Sequence, residues 1–189
     1  MRATETLTIA LTLIAWSAPS PALDIPAYAA VRSISDTVQS PSGRSVAYRV
    51  RYIDLQSNRL IEQIRVQPTR GGEARTLGEG RKPQWSADEQ WLAYCRGDYP
   101  CGQVVIVEVA TGREHVFAPP GQSFRALHWM NQRAALGVLV TPAGGQGAHL
   151  AILNPQGTIQ KDLPGFDGAR DYDFSPDDRE LSVTLPQSK

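Results

Sequence analysis

The stretch Pro83-Gln84-Trp85-Ser86-Ala87-Asp88-Glu89-Gln90-Trp91-Leu92-Ala93-Tyr94 writes one strand, a tight turn and a returning strand. The same pattern stands at Val38 to Tyr48, turning through Ser40-Pro41-Ser42-Gly43, and at Tyr172 to Leu181, turning through Ser175-Pro176-Asp177-Asp178. A worn copy runs from Leu127 to Leu136 around Trp129 and Met130. With Ser40, Ser86, Met130 and Ser175 taken as equivalent, the intervals are 46, 44 and 45 residues. A period of that length is the signature of a propeller blade, one four-stranded antiparallel sheet per repeat. The fold class that follows is all-β, a partial β-propeller.

The turn residues explain the recurrence. In Ser-Pro-Asp-Gly, Pro presets φ, Asp bonds its own backbone and Gly accepts positive φ. Pro41 and Gly43 keep their places in the first repeat, and Pro176 and Asp177 keep theirs in the last. Asp178 stands where Gly is ideal, which is tolerable because Asp visits the left-handed region more easily than most residues. In the second repeat Asp88 is kept, but Ala87 replaces Pro and Glu89 replaces Gly, so a looser or differently shaped turn is expected there. Ser40, Pro41, Gly43, Trp85, Ser86, Asp88, Trp129, Phe174, Ser175, Pro176 and Asp177 are therefore read as structural residues of the repeat.

Alternation fills in the blades. The strands expected are 37–40, 45–52, 60–67 and 74–77, then 82–86, 90–96, 103–109 and 114–117, then 125–130, 134–141, 149–154 and 158–162. A last hairpin is expected at 171–174 and 180–185. Val104-Val105-Ile106-Val107 is nearly continuous apolar sequence, as in a strand covered on both faces. The count is about three and a half blades. An incomplete ring would leave one apolar face open at each end. On the first blade that face would involve Val46, Tyr48 and Val50 or the alternate set, and on the last Phe174, Leu181 and Val183.

Leu7 to Trp16 is an apolar run of ten residues followed by small ones. That is short for a membrane span, which takes about 20 residues, and suits a signal-peptide core. Residues 1–22 are read as a signal peptide cleaved after Ala22 or after Ala18, and 23–189 as the incomplete propeller. The mature chain is then exported, periplasmic or secreted, with no membrane span. Cys95 and Cys101 flank a Gly/Pro turn, and in an oxidising compartment a disulfide is expected between them. Nineteen basic residues balance nineteen acidic ones, so charge gives no argument for a nucleic-acid partner.

The repeats resemble the WD40-like repeats in the N-terminal propellers of the prolyl oligopeptidase family of serine peptidases, and equally the TolB-like propeller repeats of the Tol-Pal system. Val31 to Asp36 running into Ser40 to Tyr48 looks like the peptidases' propeller opening, and Tyr52 to Arg59 is similar to a subgroup, the lasso-peptide isopeptidases. In that family the resemblance implies a following α/β-hydrolase domain with a Gly-x-Ser-x-Gly elbow. That elbow does not occur in this sequence, so no catalytic residue is carried over and the chain is expected not to be an enzyme. Ser175 sits in a blade turn, and His115, His128 and His149 each stand alone in or beside a strand.

No cofactor or metal is expected. Asp167, Asp171, Asp173, Asp177 and Asp178 are read as a solvated rim rather than a calcium site, and Arg96-Gly97-Asp98 as ordinary turn chemistry rather than an adhesive loop. The resemblance implies a peptide or protein partner and a downstream α/β-hydrolase domain, the propeller gating or positioning peptide substrates. The alternatives are a stand-alone TolB-like interaction scaffold or a truncated remnant.

Overall fold

The computed structural model describes residues 31–97 and 100–186. The signal-peptide and cleavage-site readings, and Asp98, lie outside these residues. The described chain forms three four-stranded antiparallel sheets and a two-stranded hairpin, each in simple sequential order. The first sheet holds β1 (Ser33–Gln39), β2 (Ser45–Asp54), β3 (Arg59–Pro68) and β4 (Arg75–Glu79). The second holds β5 (Arg81–Trp85), β6 (Trp91–Arg96), β7 (Gln103–Glu108) and β8 (Glu114–Phe117). The third holds β9 (Gln122–Trp129), β10 (Leu136–Pro142), β11 (His149–Leu153) and β12 (Ile159–Pro164). The hairpin is β13 (Asp171–Phe174) and β14 (Leu181–Thr184). The sheets are successive blades of a partial β-propeller, and the first strands β1, β5, β9 and β13 touch in sequence along the axis.

Three apolar layers hold the blades face to face. Ala47, Ile64 and Val66 of the first blade meet Leu92, Tyr94, Val105 and Val107 of the second. The other face of the second blade, with Ala93, Val104 and Ile106, meets Leu136, Val138 and Ala151 of the third. That explains the unbroken apolar run in β7, whose four central residues are all fully buried. The third layer packs Leu139, Leu150 and Ile152 against Tyr172, Phe174 and Leu181.

This layer corrects one expectation. Tyr172 pairs with Val183 and Phe174 with Leu181, so these four side chains share a face. Phe174 and Leu181 are turned inward against the third blade, and the outward face of the hairpin carries Asp171, Asp173, Ser182 and Thr184. On the first blade Ala47 faces the second, which leaves Val46, Tyr48 and Val50 on the far side.

The second turn is also different from its expectation. Glu89 adopts φ 60°, beside 72° at Gly43 and 58° at Asp178. In all three turns the fourth residue's N–H donates to the serine carbonyl, at 2.8 Å from Gly43, 3.0 Å from Glu89 and 2.9 Å from Asp178. The serine hydroxyls do the rest. Ser86 Oγ donates to Asp88 at 2.6 Å and accepts the Trp91 N–H at 3.0 Å; Ser175 Oγ repeats this with Asp177 at 2.7 Å and Glu180 at 2.9 Å. The turn at Glu89 is as tight as the others because serine and aspartate carry its geometry.

Glu89 and Asp178 are not simply eroded glycines. The Ser42 N–H of the first blade's turn donates to Glu89 Oε1. The Asn131 and Gln132 N–H groups of the third blade's turn donate to the two oxygens of Asp178 at 2.7 and 2.8 Å. Each left-handed residue therefore aims a carboxylate at the preceding blade. Replacing Asp178 by Gly is expected to cost about 1 kcal/mol, although Gly is the easier residue at that φ, because two charge-assisted hydrogen bonds are lost. Urea unfolding of the Asp178→Gly chain measures it, and an unchanged or raised midpoint would reduce Asp178 to a turn residue only.

Candidate functional site

The repeat places chemistry along the axis by a device not visible in the turns. Each of the first three blades carries one left-handed, non-glycine residue in its first strand: Asp36 (φ 50°), Lys82 (φ 55°) and Ala126 (φ 49°). Each coincides with a break in strand register, so all three are β-bulges. They recur with the period of the turns. The Lys82 N–H donates to Asp36 Oδ2 at 3.0 Å, which links the first two bulges, and Arg49 pairs with the same oxygen at 3.2 Å.

Between the bulges of β5 and β9 and the start of β13 lies a groove of about 680 Å³. Its walls are Lys82 and Gln84 of β5, the segment from Arg125 to His128 of β9, and Arg170 with Asp171. Cys95 and Pro100 close one side. They belong to the disulfide loop: Cys95 and Cys101 are bonded, with Cα atoms 5.2 Å apart. The loop is tied to β9 of the third blade and to β5 of its own. The Phe124 N–H donates to the Cys101 carbonyl at 3.0 Å, and Arg81 donates to the Pro100 carbonyl at 3.3 Å. Closing so short a loop contributes about 2 kcal/mol.

The charged side chains of the lining are mainly cations. Lys82, Arg125 and Arg170 are exposed, and Arg125 donates to Thr141 Oγ1 at 2.8 Å. Asp171 is the one carboxylate of the lining, and it is occupied. His128 Nε2 lies 2.9 Å from Asp171 Oδ1, which also accepts the Tyr172 N–H at 2.9 Å. The His128 ring meets Tyr172 edge-on at 5.1 Å. Burial, with the nearby Asp171 and Asp173 charges, pushes the Tyr172 phenol well up, so it stays a neutral member of the seam.

A second polar cluster lies at the β6–β8 side of the second blade. Tyr94 donates to Glu114 Oε1 at 2.8 Å, and Arg96 reaches the same oxygen at 2.6 Å. Burial, followed by the Glu114 hydrogen bond, pushes the Tyr94 phenol up. Burial pulls the Glu114 carboxyl upward too, but the bonds from Arg96 and Tyr94 outweigh it and hold it below the usual range. This is a structural network that ties β6 to β8.

The remaining motif residues act in the blades. Trp85 Nε1 donates to the Val38 carbonyl at 3.2 Å and Trp129 Nε1 to the Gln84 carbonyl at 2.9 Å, each bridging to the preceding first strand. Phe174 takes the equivalent place without a donor. His115 stacks obliquely on Trp91 at 6.1 Å, and His149 lies 3.7 Å from Asp162. The aspartates of the last repeat are not brought together. Asp167 accepts the Ala148 N–H at 2.8 Å, Asp171 pairs with His128, Asp173 accepts the Phe174 N–H at 2.9 Å, and Asp177 and Asp178 serve turns. Sequence reasoning missed Lys82, Arg125 and Arg170. For Arg125 and Arg170 the signal was the recurrence of Arg81, Arg125 and Arg170 at the turn period.

No family model matches the chain, and no curated protein matches it. Solved structures do. The chain is similar to the β-propeller domain of the trilobed protease from Pyrococcus furiosus, at 16% identity and TM-score 0.65 over 84% of this chain and 50% of that one. It is similar to Pyrococcus horikoshii acylaminoacyl peptidase, at 13% identity and TM-score 0.64 over 86% of this chain and 29% of that one. A putative TolB from Agrobacterium tumefaciens matches at 16% identity and TM-score 0.52, over 78% of this chain and 57% of that one. At these identities the likeness establishes the propeller fold, and the chain spans 29% to 57% of the length of these structures.

Proposed function

We propose that this chain is a non-catalytic propeller segment of an exported peptidase of the prolyl oligopeptidase family, and that its axial groove receives and positions extended peptide. The observation that carries the reading is the groove itself. Its 680 Å³ falls in the range of ligand-binding clefts, about 300–1,000 Å³, and it lies where successive first strands converge. Two further facts support it. The propeller neighbours with the higher TM-scores come from a trilobed protease and an acylaminoacyl peptidase. The Cys95–Cys101 disulfide suits an oxidising compartment, and the described residues contain no helix long and apolar enough to cross a membrane.

The mechanism is one of placement. The bulges at Lys82 and Ala126 turn first-strand residues towards the groove, while the disulfide loop keeps its wall fixed to two blades. A peptide lying there is held in one register and presented to a neighbouring hydrolase domain, which supplies nucleophile, base and oxyanion donors. The likeness to TolB favours a second reading, a stand-alone protein-interaction scaffold. Hydrogen exchange of the full chain with a pool of extended peptides tests the first. Protection is expected in β5 and β9, at Lys82 to Trp85 and Ser123 to Leu127. Protection confined to outer strands, or none, would refute a peptide-receiving groove.

A further inference from the structure

We infer that the axial groove selects peptides bearing a carboxylate, a side chain of Asp or Glu or a C-terminal carboxylate, through Lys82, Arg125 and Arg170. This rests on the reading of the groove as peptide-receiving and adds the chemical class of the peptide. The chain as a whole is neutral, with nineteen basic and nineteen acidic residues, so a local excess of cations is not a by-product of composition. Around the groove stand three permanent cations and one carboxylate, Asp171.

That carboxylate is already shared between His128 and the Tyr172 N–H. Among the described residues neither the Lys82 ammonium nor the Arg170 side chain has an ion-pair partner, whereas the less exposed cations at the seams of the first two blades do. Arg49 is paired with Asp36 and Glu62, and Arg96 with Glu114. Even within the recurring arginines the division is sharp. Arg81 is half-buried in the seam beside Glu62 and the Pro100 carbonyl, whereas Arg125 and Arg170, at the same repeat position, open into the cavity.

Arginine forks match a carboxylate with two parallel N–H bonds, and a lysine supplies a movable point charge beside them. An uncharged amide in the same place accepts fewer charge-assisted bonds. Discrimination between acid and amide is therefore expected to reach about tenfold, and to fade as salt screens the exposed cations.

The test is fluorescence anisotropy of the full chain with labelled hexapeptides that carry Glu or the isosteric Gln at one central position, each with a free or amidated C-terminus. The expected result is about tenfold tighter binding of the acidic peptides at low salt. That preference should fall to about twofold or less in Arg170→Gln and in Lys82→Asn, an exchange suited to the left-handed φ at Lys82. Arg179→Gln, in an exposed turn outside the groove, should leave it unchanged. Far-UV circular dichroism confirms that each variant is folded. Equal binding of acid and amide peptides would overturn the carboxylate selection while leaving the peptide-receiving groove standing. Absence of binding by every peptide would overturn both. A preference unaltered by Arg170→Gln and Lys82→Asn would place the acidic site elsewhere and refute this one.

Discussion

Replacing Trp129 by Ala is expected to destabilise the chain by about 3–5 kcal/mol, a large share of the stability of a domain this size. Trp129 is buried in the layer between the second and third blades, packed with Cys95, Ile106, Leu136 and Leu153. It also donates to the Gln84 carbonyl, so its loss removes a ring and leaves an acceptor without its partner. The seam has little else of the same kind. The first seam has both Trp85 and the Glu89 carboxylate, and the third has Asp178 with Phe174, but no turn carboxylate reaches from the third blade to the second. Trp129→Phe separates the two contributions and should cost about 1 kcal/mol for the hydrogen bond plus a smaller packing loss. Urea unfolding followed by far-UV circular dichroism measures both. A loss below about 1 kcal/mol for Trp129→Ala would show that the seam does not depend on this ring.

Gly80→Ala is expected to be nearly as damaging, at about 3 kcal/mol. Gly80 joins β4 to β5 with an ordinary backbone conformation, and its N–H donates to the Glu62 carbonyl at 2.9 Å. Its constraint is close approach. A Cβ here would lie 2.7 Å from the Cys95 carbonyl oxygen and 2.8 Å from Cε2 at the edge of the Tyr94 ring. Tyr94 is fully buried and held by Glu114 and Arg96, so neither neighbour can retreat. Thermal unfolding should show a midpoint lower by roughly 6–12 °C. Gly71→Ala is the contrast, because a Cβ there meets nothing within 4 Å and only its φ of 92° is penalised. Similar midpoints for Gly80→Ala and the parent chain would mean that the first two blades pack less closely than described.

Much of the architecture was legible because it is local. Turn chemistry and alternation are written over a few consecutive residues, and β8 and β13 coincide with the strands expected from them. The bulges were hidden because Asp36, Lys82 and Ala126 are not glycines; nothing in their identity announces a left-handed backbone. Strand β1 accordingly begins at Ser33, four residues earlier than expected, its pairing resuming across the bulge. The inward turn of Phe174 and Leu181 was hidden for another reason. Alternation says which residues share a face and leaves open which face meets a neighbour. The groove was least legible, since Lys82, Arg125 and Arg170 are more than forty positions apart and meet only because blades stack.

The back-reaching carboxylates give the array a direction. Glu89 and Asp178 each grip the turn behind them, and Trp85 and Trp129 grip the strand behind them. The first blade has neither grip. Gly43 has no side chain to extend, and Gln39, in the place of the tryptophans, bonds the Gly43 carbonyl of its own turn. The repeats are therefore not interchangeable bricks. Copying the second blade in tandem would preserve a donor turn for each new grip, whereas moving the first blade into the interior would open a seam held by apolar contact alone. Order along the chain is thus recorded in two side-chain positions per repeat, and an engineer recombining these blades would have to respect it.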